Sequence, residues 1–124
     1  MNAATITGVR NIAVPVTDQD RALEFYVGKL GFQVVRDAPL QQLGGRWIEL
    51  APPGSTTTIA LIPARDGASA GVDTGIRLSS PDVPGAHADL AARGVEVEEL
   101  LSWEGIPPMF VFRDEDGNRF VVVE

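Results

Sequence analysis
The sequence predicts an α+β fold made of two similar halves. Three observations carry that prediction. Short alternating apolar runs of strand type are interleaved with two stretches of helical period. The same order of signals begins again after residue 73. Two helices are also too few to cover both faces of so many strands, so each sheet keeps one face for a cleft, a partner surface, or both.

Val9 to Val16 reads as a strand, with Ile12, Val14 and Val16 alternating against Asn11, Ala13 and Pro15. Pro15 lacks an N–H for a central ladder, so this strand is expected at an edge or bulge. Asp18 offers an acceptor for a helix N-terminus. Ala22, Leu23, Phe25, Tyr26 and Leu30 follow at helical spacing, and Gly31 supplies a left-handed end. Phe32 to Arg36 is a short strand, and Asp37 to Gly45 a turn-rich stretch. Arg46 to Leu50 and the β-branched Thr56 to Ile62 are strands, separated by Pro52, Pro53 and Gly54. Residues 64–73 are small, polar and linker-like.

The second half opens with a strand over Gly75 to Ser79. Asp82 then caps a helix that carries Ala86, Leu90 and Ala91 and ends at Gly94. Val95 to Leu100, Met109 to Arg113 and Arg119 to Val123 are strands, the last two joined by an Asp116-Gly117 turn. Asp18 matches Asp82, Ala22 matches Ala86, and Gly31 matches Gly94 within a residue. The expected organisation is a single domain over 1–124, with halves at 9–63 and 74–124 joined by 64–73.

Composition narrows the function. With 124 residues the chain is one domain in size and long enough to bury a core. There is no cysteine, which excludes disulfides, thiolate metal sites and Cys nucleophiles. That suits a reducing compartment, and the expected location is the cytoplasm. The formal net charge is -7 and no Lys/Arg run occurs, which argues against nucleic acid. No apolar stretch has the length of a membrane span, and Met1 to Thr7 lacks the pattern of a secretion signal. With one histidine and no Gly-x-Ser-x-Gly elbow, a nucleophilic triad has no candidate. His87 falls within the second helix and reads as surface or helix packing.

Several stretches together resemble the vicinal oxygen chelate superfamily of glyoxalases, bleomycin-resistance proteins and extradiol dioxygenases. They are Asn11 to Asp18, Arg21 to Tyr26, Leu30-Gly31-Phe32, Trp47 to Pro52, Asp82 to His87, and Phe112 to Asn118. The resemblance implies two βαβββ modules forming a curved sheet around a cleft, with helices on the outer face. It also implies a homodimer, in some members with exchanged modules. Metal-dependent members hold a divalent ion with about four His, Glu or Gln side chains. The corresponding positions here are Asn11, Glu49, Gly75 and Val121. Gly75 and Val121 have no donor atom, and Asn11 offers only an amide oxygen, so neither a metal nor another cofactor is expected.

The expected function is therefore metal-independent binding of a small, partly apolar molecule, as in the bleomycin-resistance branch. The alternatives are a metal-dependent glyoxalase or dioxygenase-type enzyme and a protein-interaction module. Glu49 shares a strand face with Trp47. On a cleft face its pKa would be raised, making it a ligand contact or a base; otherwise it pairs with Arg46 or Arg77 in a structural network. Asn11 can give and accept hydrogen bonds to a ligand. Arg77, on the face of Gly75, suits an anionic ligand or an internal acid. Trp103, in the Gly/Pro-rich stretch Ser102 to Pro108, is the aromatic best placed to cover an apolar ligand. Met109 and Val121 complete the candidate lining.

Overall fold
The computed structural model describes residues 5–124. Part of the N-terminal stretch read for a secretion signal, residues 1–4, lies outside it. Strand β1 (Asn11–Val16) leads into helix α1 (Gln19–Leu23), which continues as a π-helical turn over Glu24–Lys29. Strands β2 (Gln33–Leu40), β3 (Gly45–Ala51) and β4 (Thr58–Pro63) follow. Strand β5 (Asp73–Ser79) precedes helix α2 (Val83–Ala92). Strands β6 (Glu96–Val97), β7 (Leu101–Trp103), β8 (Ile106–Arg113) and β9 (Arg119–Val123) complete the chain. The class is α+β, as the sequence predicts.

One sheet has the order β1-β4-β3-β2 and the other β5-β9-β8-β6, with β7 added beside β8. The internal repeat is visible in the pairing: β1 runs parallel to β4, and β5 runs parallel to β9. β1 lies at an edge, which is where Pro15 is tolerated. Both helices begin as their acidic caps predict. The Asp18 side chain accepts from Arg21 N at 3.1 Å, and that of Asp82 accepts from Gly85 N at 3.0 Å. Gly31 and Gly94 take the left-handed conformation at the far ends, with φ of 76° and 81°.

Two stretches depart from the sequence reading. Residues 37–40, expected as turn, extend β2, where Pro39 is accommodated because β2 is an edge strand. Residues 102–108, expected as a loop, form the β7–β8 hairpin: Leu101 pairs with Met109, Trp103 with Ile106, and Gly105 turns with φ 78°. The expected strand over Val95 to Leu100 is reduced to Glu96–Val97.

One apolar cluster joins residues of both sheets and α1. Val14, Ile48, Leu50 and Leu61 meet Phe110, Phe112, Phe120 and Val122, with Phe25 and Tyr26 among them. The Tyr26 and Phe120 rings lie 6.0 Å apart in edge-on contact. A buried polar clasp reinforces the junction. Tyr26 Oη donates to Asp114 Oδ2 at 2.7 Å. Asn118, with no exposed surface, donates from Nδ2 to Pro15 O and to Asp114 Oδ2. Its Oδ1 accepts from Gly71 N and Val72 N. Burial and the Asp114 carboxylate push the Tyr26 phenol well above its ordinary pKa, so it stays protonated and donating.

Candidate functional site
Strand parity places Asn11, Ala13, Trp47, Glu49, Thr58 and Ala60 on the face of the first sheet opposite its apolar core. Across the four strands one row reads Ala13, Ala60, Glu49, Arg36. Glu49 is only 6 % exposed. Its Oε1 accepts from Trp47 Nε1 at 2.7 Å, and its Oε2 accepts from Thr58 Oγ1 at 2.9 Å.

The Trp47 hydrogen bond holds the Glu49 carboxyl below its ordinary pKa; burial opposes this, and Thr58, Arg10 and Arg36 assist it. This corrects the expectation of a raised pKa. Desolvation alone would raise it, but two aimed donors and two nearby cations outweigh the cost of burial. The expected structural partners also change. Arg46 pairs with Asp20 and Asp37, while Arg77 has no ion pair or side-chain hydrogen bond among the described residues. Glu49 is thus a settled anion and a weak base.

Asn11 lies beside Thr58 in the β1–β4 register. In the second sheet Arg77 pairs with Val121, and Val111 with Val121. Val121 is buried, and Gly75 adopts φ 70° with no side chain to offer. Met109 borders a small hollow of about 190 Å³ with Pro108 and Val123. Trp103 is 51 % exposed on its hairpin and lines neither the hollow beside Met109 nor the clefts described below. His87 packs edge-on against Phe110, and its Nε2 meets Glu98 O at 2.8 Å.

The eight candidates are not gathered into one hollow within this chain. A cleft of about 630 Å³ runs between the β1–β4 side of the first sheet and the free edge of β5. Ile12, Ile59, Ile76 and Leu78 give it apolar walls, and Thr58 and Arg77 also line it. Of the candidates only Arg77 borders this cleft directly, while Glu49 touches its wall through Thr58. Sequence reasoning missed the apolar walls because its candidates were sought on the strand face of Asn11 and Glu49, and Ile12 alternates with Asn11. The wall residues reach the cleft because it follows strand edges, where both faces of a strand are accessible. A second groove of about 250 Å³ lies by Phe32, Leu90 and Phe112.

Among the described residues, no three of His, Cys, Asp and Glu come together as a metal-binding group. The four positions at which metal-dependent relatives place ligands do not fit a divalent ion. Gly75 and Val121 bring no donor, and both Glu49 oxygens are engaged by neighbouring side chains.

Paired βαβββ halves, and open sheet faces beside a cleft between edge strands, define a glyoxalase-like domain. The chain belongs to the glyoxalase/bleomycin resistance protein/dioxygenase superfamily, whose family model matches residues 8–122. YetH, an uncharacterised protein of Bacillus subtilis (strain 168), is 32 % identical over 124 residues, covering 96 % of this chain and 99 % of that protein. The crystal structure of TnmS3, an antibiotic binding protein from Streptomyces sp. CB03234, is similar at 32 % identity and a TM-score of 0.87, covering 98 % of each chain. A superfamily member from Sphaerobacter thermophilus DSM 20745 is similar at 35 % identity and a TM-score of 0.86, covering 98 % of this chain and 99 % of the other. No described helix is long and apolar enough to cross a membrane.

Proposed function
We propose that this protein binds a small, partly apolar molecule without a metal ion, in the cleft between β1 and β5. The observation that carries the reading is the state of Glu49. It is the one ordinary ligand among the four family positions, and Trp47 and Thr58 occupy both its oxygens. A carboxylate committed in this way favours neither metal coordination nor base catalysis. The cleft volume of about 630 Å³ falls in the range of small-molecule sites, roughly 300–1,000 Å³. The similarity to TnmS3, described as antibiotic binding, supports the same ligand class.

The proposal includes a homodimer. Trp103 and Ile106, cross-strand neighbours at the β7–β8 hairpin, are both about half exposed and suit a contact with a second copy.

Thermal-shift screening of a drug-like library tests the binding reading, using wild type and Ile12→Trp, which fills the cleft. Hits should raise the wild-type melting temperature and leave that of Ile12→Trp unchanged. An absence of hits, or equal shifts in both proteins, would count against it.

A further inference from the structure
The cleft between β1 and β5 has an unusual charge balance for this chain. The protein carries a formal net charge of -7, yet among the described residues no Asp or Glu lines this cleft, and Arg77 does. Its hydroxyl protons are mostly committed. Ser55 Oγ donates to Thr57 O, Thr57 Oγ1 donates to Val9 O, and Thr58 Oγ1 donates to Glu49. That leaves the Arg77 guanidinium and the Ser79 hydroxyl as side-chain donors without a protein acceptor among the described residues.

These two residues sit two apart on β5 and therefore share one face. Among the described residues β5 is an edge strand paired only with β9. Ser80 N donates across that pair to Val123 O. By alternation, the N–H groups of Arg77 and Ser79 point to the free edge, toward the cleft. The wall is thus rich in free donors and poor in anionic acceptors, with apolar side chains beside it.

Resting on the binding reading above, we propose that the ligand is an organic anion. Arg77 and Ser79 hold its carboxylate- or sulfonate-like group, and Ile12, Ile59, Ile76 and Leu78 hold its apolar body. A planar guanidinium can meet such a group with two parallel hydrogen bonds, which a neutral ligand cannot exploit.

The test uses two fluorescent probes with the same rings, anilinonaphthalene sulfonate and neutral N-phenylnaphthylamine. Wild-type protein should bind the sulfonate about tenfold or more tightly than the amine, the scale of one charge-assisted contact. Arg77→Gln should remove that preference, weakening sulfonate binding about tenfold more than amine binding. Ser79→Ala, an exposed and mild change, should reduce the preference in the same direction. Equal binding of both probes by the wild type, or a preference that survives Arg77→Gln, overturns the anion inference while the cleft reading stands. Failure of both probes to bind removes the cleft reading itself.

Discussion
Trp47 Nε1 donates to Glu49 Oε1 at 2.7 Å, so one indole fixes a carboxylate that is almost wholly buried. Thr58 completes the arrangement from the neighbouring strand. Together they turn the one metal-type ligand in the sequence into part of the sheet's own hydrogen bonding.

This gives Glu49 a signed pH dependence. Its folded pKa lies below the ordinary carboxyl value, so its contribution is present above the unfolded pKa and is lost as pH falls through the folded one. Glu49→Gln should cost about 1.5–3 kcal/mol at neutral pH, the usual scale for hydrogen bonds to a charged group. The gap between wild type and variant should shrink as acid protonates Glu49. Urea unfolding of both proteins at pH 7 and near pH 4 measures it, and a gap that widens in acid would contradict the account.

The clasp around Asn118 should be the most sensitive polar feature of the fold. Asn118→Ala leaves Pro15 O, Gly71 N and Val72 N without their partner. The expected loss is about 3 kcal/mol, or a drop of roughly 10 °C in Tm. Tyr26→Phe removes one bond to Asp114 and should cost less, about 1–2 kcal/mol. Calorimetry that ranks the two variants in the opposite order would contradict this.

Trp103→Ala should change the stability of the isolated fold by no more than about 0.5 kcal/mol, as expected for an exposed side chain. It should lower the fraction of dimer in sedimentation or light scattering. A variant that sediments like the wild type at every concentration would remove Trp103 from the interface.

Much of this architecture is legible in the chain because local chemistry sets it. Asp18 and Asp82 read as caps and act as caps, and Pro15 marks an edge strand. Residues 37–40 misled because Asp, Ala and Pro resemble a turn until β3 supplies a partner. The β7–β8 hairpin misled for a similar reason: its glycine and prolines hide the register that pairs Leu101 with Met109 and Trp103 with Ile106. At the candidate site, parity placed Trp47 beside Glu49, but parity does not say where an indole N–H points. The Asn118 contact to Pro15 joins residues 103 positions apart, beyond the reach of any local pattern.

The central claim, a binding cleft that works without a metal, meets its most direct test in metal analysis of the purified protein combined with thermal melts in Ni, Zn, Fe or Mn. The account predicts far less than one equivalent of any divalent ion and an unchanged Tm. One equivalent per chain, with a rise in Tm that Glu49→Gln abolishes, would contradict it.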